Sequence, residues 1–127
     1  MSGAPDPKSR SLARGERRYR REVASPKQWQ AIIAAKTGPC RVCTQPGMNG
    51  HGLPVIEFHH LVSRAMGGDD IEDNIVPLCR RHHELVTFSP GGESTRALAA
   101  SLTDSEYAYV VGKLGESGPA RLFGVGR

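Results

Sequence analysis

The pattern of apolar and polar positions predicts a short series of helices and strands separated by polar turns. Ser25-Pro26 has the form of a helix start, because Ser is a favoured N-cap and Pro fits the first turn. Three apolar residues come next at helical spacing, and we expect them to pack on the core. They are Trp29, Ile32 and Ile33. The helix should reach about Lys36.

The middle of the chain predicts two extended stretches and a helix. Residues 55–58, Val-Ile-Glu-Phe, are β-rich and run into a pair of histidines. Residues 75–78, Ile-Val-Pro-Leu, form a second short apolar stretch. The polar segment 63–73 between them contains a Gly-Gly turn and should be a loop. A helix is expected from Cys79 to about Val86.

The last third predicts one more helix. Ser-Pro-Gly-Gly at 89–92 ends the preceding helix. Thr103-x-x-Glu106 has the form of a capping box. Apolar residues lie at helical spacing beyond it, at Tyr107, Val110, Val111 and Leu114. From Gly115 onward the composition predicts loose chain.

The length of 127 residues suits one small domain with tails. We expect a disordered basic arm over residues 1–24, a folded domain over 25–115 and a flexible tail over 116–127. The core of such a domain is small, and small domains often need a metal ion or a disulfide to be stable.

Charge is concentrated near the N-terminus. Residues 8–22 hold seven basic and two acidic side chains, whereas the whole chain has a net charge of +4. The remainder is therefore close to neutral. A basic arm on a near-neutral domain favours a polyanionic partner such as nucleic acid. The alternative is a solubilising tail.

The sequence predicts a protein without a membrane segment. No apolar run approaches the ~20 residues that cross a bilayer, and the N-terminus lacks the apolar core of a signal peptide. Three cysteines cannot all pair within one chain, and their layout favours metal binding in a reducing compartment. We therefore expect a cytoplasmic location.

Three cysteines and a histidine have the spacing of a zinc site. Cys40 and Cys43 form a C-x2-C pair, and Cys79 with His82 forms a C-x2-H pair. Each pair supplies two donors from one turn, so two pairs complete a tetrahedral shell. A closed shell of this kind is structural, since it leaves no position for substrate. Free thiols in a small core are the alternative, but they leave the spacing unexplained.

The fourth zinc ligand is ambiguous from the sequence, because His83 directly follows His82. Neighbouring residues on a helix point about 100° apart, so the two side chains cannot easily face one metal. One of them must face elsewhere.

A second set consists of His59, His60, Asn74 and His83. The motif consists of Glu57-Phe58-His59-His60-Leu61, Gly67-Gly68-Asp69, Asn74 and Leu78-Cys79-Arg80-Arg81-His82-His83. This pattern resembles the HNH endonucleases, which belong to the ββα-metal (His-Me finger) nucleases. The resemblance covers about residues 40–86 and is closest to the small, zinc-stapled HNH proteins of phages.

The resemblance implies an α+β fold, in which a hairpin and a helix enclose one catalytic divalent ion and helices flank this core. His60 matches the general base, which takes a proton from the attacking water. His59 and His83 match the ligands of the catalytic metal. Asn74 matches the middle letter of the motif and is expected to hold the loop that positions His60.

The geometry of the histidine pair sets a condition on this interpretation. Successive residues of a regular strand point to opposite faces, so His59 and His60 can serve one site only where the strand ends or bends.

Arg64, just beyond the pair, is a candidate phosphate contact, with a solvated loop arginine as the alternative. The acidic residues Asp69, Asp70, Glu72 and Asp73 are expected to be turn and surface residues.

The resemblance implies a metal-dependent DNA endonuclease that nicks DNA or cleaves both strands. The short length favours weak sequence preference, and so a phage-type or accessory nuclease linked to DNA packaging or processing, with a site-specific restriction enzyme as the alternative. The expected partners are DNA and packaging proteins such as terminase. The working ion is expected to be Mg²⁺ or Mn²⁺, although imidazole ligands also suit Ni²⁺ and Zn²⁺. The alternative function is a non-catalytic, zinc-stabilised module that binds nucleic acid. A purely structural zinc domain gives no reason for the second histidine set.

Overall fold

The structure is a computed structural model, and it describes residues 20–48 and 55–124. Two short 3-10 helices, Arg64–Met66 and Glu72–Asn74, lie in the loop between the strands. The other elements of this part of the chain are five α-helices and one hairpin. In order they are α1 (Pro26–Lys36), β1 (Ile56–His60), β2 (Ile75–Cys79), α2 (Arg80–Phe88), α3 (Glu93–Ser101), α4 (Asp104–Leu114) and α5 (Gly118–Phe123). The fold is therefore a small α+β arrangement, as predicted. None of these helices is long and apolar enough to cross a membrane.

The hairpin is the centre of the molecule. Strands β1 and β2 pair antiparallel, with Ile56 opposite Cys79 and His60 opposite Ile75. All five residues of β2 are buried, because other parts of the chain cover both of its faces. Helix α2 follows β2 without a break, which gives the ββα order that the motif implies.

Local capping explains where two of the helices begin. The Ser25 hydroxyl accepts a hydrogen bond from the Gln28 backbone at 3.1 Å, and the Gln28 side-chain oxygen accepts one from Ser25 N at 2.8 Å. Thr103 and Glu106 form the same reciprocal pair at the start of α4. Both helix starts were predicted from these residues and are confirmed.

The core lies between the hairpin and the last three helices. Its buried apolar side chains include Val42, Leu61, Val62, Val76, Leu78, Leu98, Leu102, Val110 and Phe123. Helix α3 supplies Leu98 and Ala99 to this core, although the sequence pattern did not predict a helix there. Its start at Gly92 has no side-chain cap, so the local signal is weak.

The end of the described chain differs from the loose segment expected after Gly115. Helix α5 forms at Gly118–Phe123 and buries Pro119 and Phe123. Gly118 permits this packing, because a Cβ there would lie only 2.5 Å from Leu114 Cβ. The order comes from contacts with α4 and α3 rather than from a pattern in six residues.

The N-terminal side also differs in part from the expected disordered arm. Most of that arm, residues 1–19, lies outside the described residues. Residues 20–24, hereafter the strap, lie along the loop between the strands. The strap's Glu22 carbonyl accepts from Asp70 N at 2.9 Å, and Lys113 on α4 donates to Arg20 O at 2.8 Å.

Candidate metal centres and active site

Three sulfur atoms and one imidazole nitrogen meet between the 40–43 turn and the start of α2. The donor atoms of Cys40, Cys43, Cys79 and His82 all lie within 4.8 Å of one another. His82 Nδ1 is 3.5, 3.3 and 3.4 Å from the sulfurs of Cys40, Cys43 and Cys79, respectively. The sulfurs of Cys43 and Cys79 are 3.9 Å apart.

These distances match the edges of a zinc tetrahedron. Zn–S bonds of about 2.3 Å and Zn–N bonds of about 2.0 Å place two sulfurs about 3.8 Å apart and a sulfur and a nitrogen about 3.5 Å apart. Burial, together with hydrogen bonding and charge from Cys40, raises the pKa of Cys43 to about 12. Cys43 therefore becomes a thiolate at neutral pH only with a cation beside it. The four residues fit a structural zinc ion, and His82 rather than His83 completes the set.

The backbone holds these ligands in two equivalent turns. Cys43 N donates to the sulfur of Cys40, and His82 N donates to the sulfur of Cys79, each at 3.5 Å. Cys79 is at once the last residue of β2 and the N-cap of α2. Arg41 N also donates to Pro77 O at 3.0 Å, which fixes the first turn to the hairpin.

His83 points away from the sulfurs toward a second cluster on β1. Its Nδ1 lies 2.8 Å from Glu57 Oε1. Its ring also meets that of His59 edge to face, with centroids 5.1 Å apart and planes at 73°. Glu57 and His59 are two residues apart on the strand and so share a face. The structure thus brings His59 and His83 together.

Electrostatics keep His59 in the neutral form that binds metals. Burial, followed by the nearby charges of His83 and His60, lowers the pKa of His59 to about 3. A neutral imidazole retains a lone pair for a cation. The hydrogen bond from His83 lowers the pKa of the Glu57 carboxyl. His59, His83 and Glu57 are therefore neighbours, whereas among the described residues the group whose donor atoms all lie within 4.8 Å of one another is that of Cys40, Cys43, Cys79 and His82.

His60 lies on the other face of β1 and has different partners. Its Nε2 is 2.8 Å from Asp70 Oδ1. The Trp29 ring stacks parallel to its imidazole, with an interplanar angle of 8° and centroids 5.9 Å apart. Trp29, which we expected in the core, instead covers this histidine. Burial lowers the pKa of His60, against the hydrogen bond to Asp70, which raises it.

Both histidines lie at paired positions of β1, which does not bend between them, so their side chains leave opposite faces of the strand. Of the two conditions for a shared site, only the end of the strand at His60 is met. His59 stands opposite Val76 and His60 opposite Ile75 in regular register. Because His60 is the last residue of β1, it stands at the end of the strand, beside the loop to β2.

Asn74 is fully buried and binds the loop that follows His60. Its side-chain oxygen accepts from Val62 N at 2.8 Å. Its amide group donates to Val62 O at 3.0 Å and to Asp69 O at 2.9 Å. These contacts connect the two ends of the loop and are those that a loop-holding role requires.

Arg64 extends into solvent close to His60. Its side chain is 60% exposed, and its Nε lies 3.6 Å from Asp70 Oδ1. The guanidinium carbon is 5.9 Å from the centroid of the Trp29 ring. An exposed cation at this position is available to a phosphate.

Sequence reasoning placed Asp69 and Asp70 on the surface, and this expectation was wrong. Each is only 7% exposed, because the strap and α4 cover them. Tyr109 and Lys113 donate to Asp69 Oδ2 at 2.6 and 3.1 Å. The partners on the strap and α4 lie 40 or more positions away in sequence, so no local pattern could have shown this burial.

Comparison with known proteins agrees with this geometry. Residues 40–87 match a family model described as HNH endonuclease. No curated protein and no solved structure matches the chain. HNH domains are typical of nucleases that use divalent metals and act on nucleic acid. The match spans both the sulfur cluster and the histidines of the second cluster, so residues 40–87 of this chain are similar to the HNH endonuclease family.

Proposed function

We propose that the protein is a metal-dependent DNA endonuclease that hydrolyses phosphodiester bonds with weak sequence preference. The observation that carries this proposal is that two adjacent histidines on α2 contact two different clusters. His82 lies among three sulfurs, whereas His83 contacts His59 and Glu57. A domain that needed only a structural ion would have no use for the second cluster.

The zinc ion in this proposal is structural. Cys40, Cys43, Cys79 and His82 fill a tetrahedral shell, so no ligand position is left for water or phosphate. Its function is to join the 40–43 turn to the end of β2 and the first turn of α2. The orientation of His83 follows from that constraint.

His59 and His83 would hold the catalytic divalent ion, with Glu57 beside them. When bound, this ion supplies positive charge that stabilises the phosphoryl oxygens and the leaving oxygen in the transition state. Mg²⁺ or Mn²⁺ is the working ion in the cell, and the imidazoles also accept Ni²⁺ or Zn²⁺.

His60 acts as the general base. A water molecule attacks the phosphorus, His60 takes its proton, and the bond from phosphorus to the leaving oxygen breaks. The leaving oxygen then takes a proton from solvent water, and His60 returns its proton to solvent. The lowered pKa keeps the His60 imidazole neutral at pH 7 and therefore able to accept that proton. Asn74 keeps the loop in place, and Arg64 contacts a phosphate of the bound strand.

One such site cuts one strand, so the first product should be a nick. The basic residues at 8–22 supply contacts to the DNA backbone that do not depend on sequence. The setting that we propose is a phage-encoded enzyme of the host cytoplasm that processes DNA with packaging proteins such as terminase.

Plasmid nicking tests the activity directly. The zinc-loaded protein should convert supercoiled plasmid to open circles with Mg²⁺, Mn²⁺ or Ni²⁺, and His60→Ala should abolish conversion. His51→Ala is a matched control, since the proposed mechanism gives His51 no role, and it should cut normally. No nicking with any of these ions, or full activity of His60→Ala, contradicts the proposal. The alternative of a non-catalytic module predicts salt-sensitive DNA binding without cutting by any variant.

A further inference from the structure

Asp70 is a buried carboxylate on which several groups converge. His60 Nε2 approaches its Oδ1 at 2.8 Å, and Arg21 donates to the same oxygen. Ala24 N donates to Oδ2 at 3.0 Å. Arg64 lies just beyond hydrogen-bond distance, with its Nε 3.6 Å from Oδ1. Two of these groups belong to the strap, and one is the histidine at the end of β1.

The contact with Asp70 determines which nitrogen of His60 carries hydrogen. Burial acts to raise the pKa of Asp70, but hydrogen bonds from His60, Ala24 and Arg21 lower it to about 2, so the carboxylate is ionised at neutral pH. An ionised carboxylate only accepts hydrogen bonds. Nε2 must therefore bear the hydrogen, and Nδ1 keeps the lone pair.

Two contacts together restrict the orientation of the imidazole. The parallel Trp29 ring limits the tilt of the plane of His60. Asp70 then fixes rotation within that plane through Nε2. Neither contact uses Nδ1, so this nitrogen is left for a proton from water.

We propose that Asp70 is a positioning residue for His60: it holds the imidazole in the Nε2–H form with Nδ1 directed to the reacting water, and the strap holds Asp70. This inference rests on the proposed endonuclease function. It assigns the strap a role in the chemistry as well as in folding, because Arg21 and Ala24 fix the carboxylate that orients the base.

The neighbouring Asp69 provides a matched control. It has the same exposure as Asp70 and also binds the strap, since its Oδ1 accepts from Glu22 N at 2.6 Å. Its side chain contacts Tyr109 and Lys113, and no described contact joins it to His60. A role that only anchors the strap would make the two residues equivalent.

The first measurement is the tautomer of His60 by 15N NMR of the zinc-loaded protein. The wild type and Asp69→Asn should show the Nε2–H form. Asp70→Ala should show a mixture of tautomers or the Nδ1–H form. A His60 tautomer that is the same in Asp70→Ala as in the wild type overturns the proposal. This readout needs no cleavage, so it stands apart from the test of the endonuclease function.

The second measurement is kinetic. Asp70→Ala should lower kcat for plasmid nicking by about 10- to 100-fold with little change in KM, as removal of a group that orients a reactive residue typically does. Asp70→Asn keeps one acceptor oxygen and should recover part of this loss. Asp69→Asn should change kcat by less than about twofold. Equal losses in kcat for Asp69→Asn and Asp70→Ala contradict the proposal.

A double-mutant cycle separates positioning from general destabilisation. If Asp70 acts through His60, then adding Asp70→Ala to His60→Ala should not lower the residual rate further. If it acts only through the fold, the two losses should multiply. Wild-type cleavage that is abolished by His60→Ala but unchanged by Asp70→Ala would refute the positioning role and leave the endonuclease proposal intact.

Discussion

Glu106 shows how single side chains hold this small domain together. Its carboxylate is fully buried, yet Arg41 donates to both of its oxygens at 2.7 and 2.8 Å. Lys36 donates at 2.5 Å and Thr103 N at 2.9 Å. The carboxylate therefore connects α1, the 40–43 turn and the start of α4. Burial acts to raise the pKa of Glu106, but the hydrogen bonds from Arg41, Lys36 and Thr103 lower it to about 2.

Replacing this carboxylate should be costly at neutral pH. We expect Glu106→Gln to lower the free energy of unfolding by about 3 kcal/mol, because Arg41 and Lys36 lose their buried partner. Urea denaturation of the zinc-loaded protein measures this loss. Glu116→Gln, at an exposed position, is the control and should change little. An equally small effect at Glu106 would show that the network contributes no net stability.

The same side chain predicts a pH dependence. Because the pKa of Glu106 is lower in the folded protein than its ordinary value of 4.5, its contribution is complete above about pH 4.5. It is lost as the pH falls toward 2. The difference in unfolding free energy between the wild type and Glu106→Gln should therefore shrink over this interval. A constant difference from pH 7 to pH 3 would contradict the assignment.

Among the elements, the hairpin and α2 could be predicted from the sequence, whereas α3, α5 and the strap could not. The first group has local signals, such as β-rich runs, turn residues and ligand spacing. Helix α3 lacks a side-chain cap, and α5 has only six residues, so their order depends on distant partners. Asp70 was missed for the same reason. The zinc ligand set could be predicted because its four donors occur in two pairs with a fixed sequence spacing. The parallel stacking of Trp29 on His60 has no such sequence pattern and could not be predicted.

The loop between the strands leaves no room for a side chain at Gly68. A Cβ there would lie 1.7 Å from Val62 O, which is also an acceptor for Asn74. We expect Gly68→Ala to destabilise the protein by about 2–3 kcal/mol, because the backbone must move. Gly112, inside α4, has nothing within 4 Å, so Gly112→Ala should stabilise by about 0.5–1 kcal/mol. Thermal unfolding of the two variants should shift in opposite directions, and shifts of the same sign would contradict this packing.

Zinc binding by the proposed ligand set should depend on each of its three sulfurs, those of Cys40, Cys43 and Cys79. We expect Cys43→Ser to lower bound zinc from about one ion per chain and to lower the Tm, since three ligands hold the ion less tightly than four. Atomic absorption and calorimetry measure the two effects. Excess Mg²⁺ should not restore the Tm, because thiolates do not favour it. Normal zinc content in this variant would contradict the proposed ligand set.

At the scale of the whole molecule, a basic N-terminal segment precedes a nearly neutral remainder of the chain. The 40–43 turn, the hairpin and α2 hold the residues of both candidate metal sites, and α3, α4 and α5 cover the other side of the core. The strap leads the chain to the loop beside His60, where Asp69, Asp70 and Lys113 bind it. The basic residues at 8–18 precede the strap in the sequence.

This arrangement predicts how DNA affinity responds to salt. Replacing Lys8, Arg10, Arg14, Arg17 and Arg18 with Gln should weaken binding to DNA of any sequence. The slope of log K against log salt should fall by about 0.9 for each phosphate that the variant no longer neutralises. Changing the four arginines to Lys keeps the charge and should leave the slope nearly unchanged. Fluorescence anisotropy at several salt concentrations measures both, and an unchanged slope in the Gln variant would argue for a solubilising tail.

Because His82 and His83 are adjacent in the sequence, their different contacts bear on insertions and deletions in the first turn of α2. Each residue added to or removed from the first turn of α2 rotates the remainder of the helix by about 100°. One deletion between Cys79 and His82 would carry the wrong side chains toward the sulfurs and would turn His83 away from His59. A library of insertions and deletions should therefore be depleted at positions 79–83 even where substitutions at Arg80 and Arg81 are accepted, so the length of this segment should be more constrained than its composition.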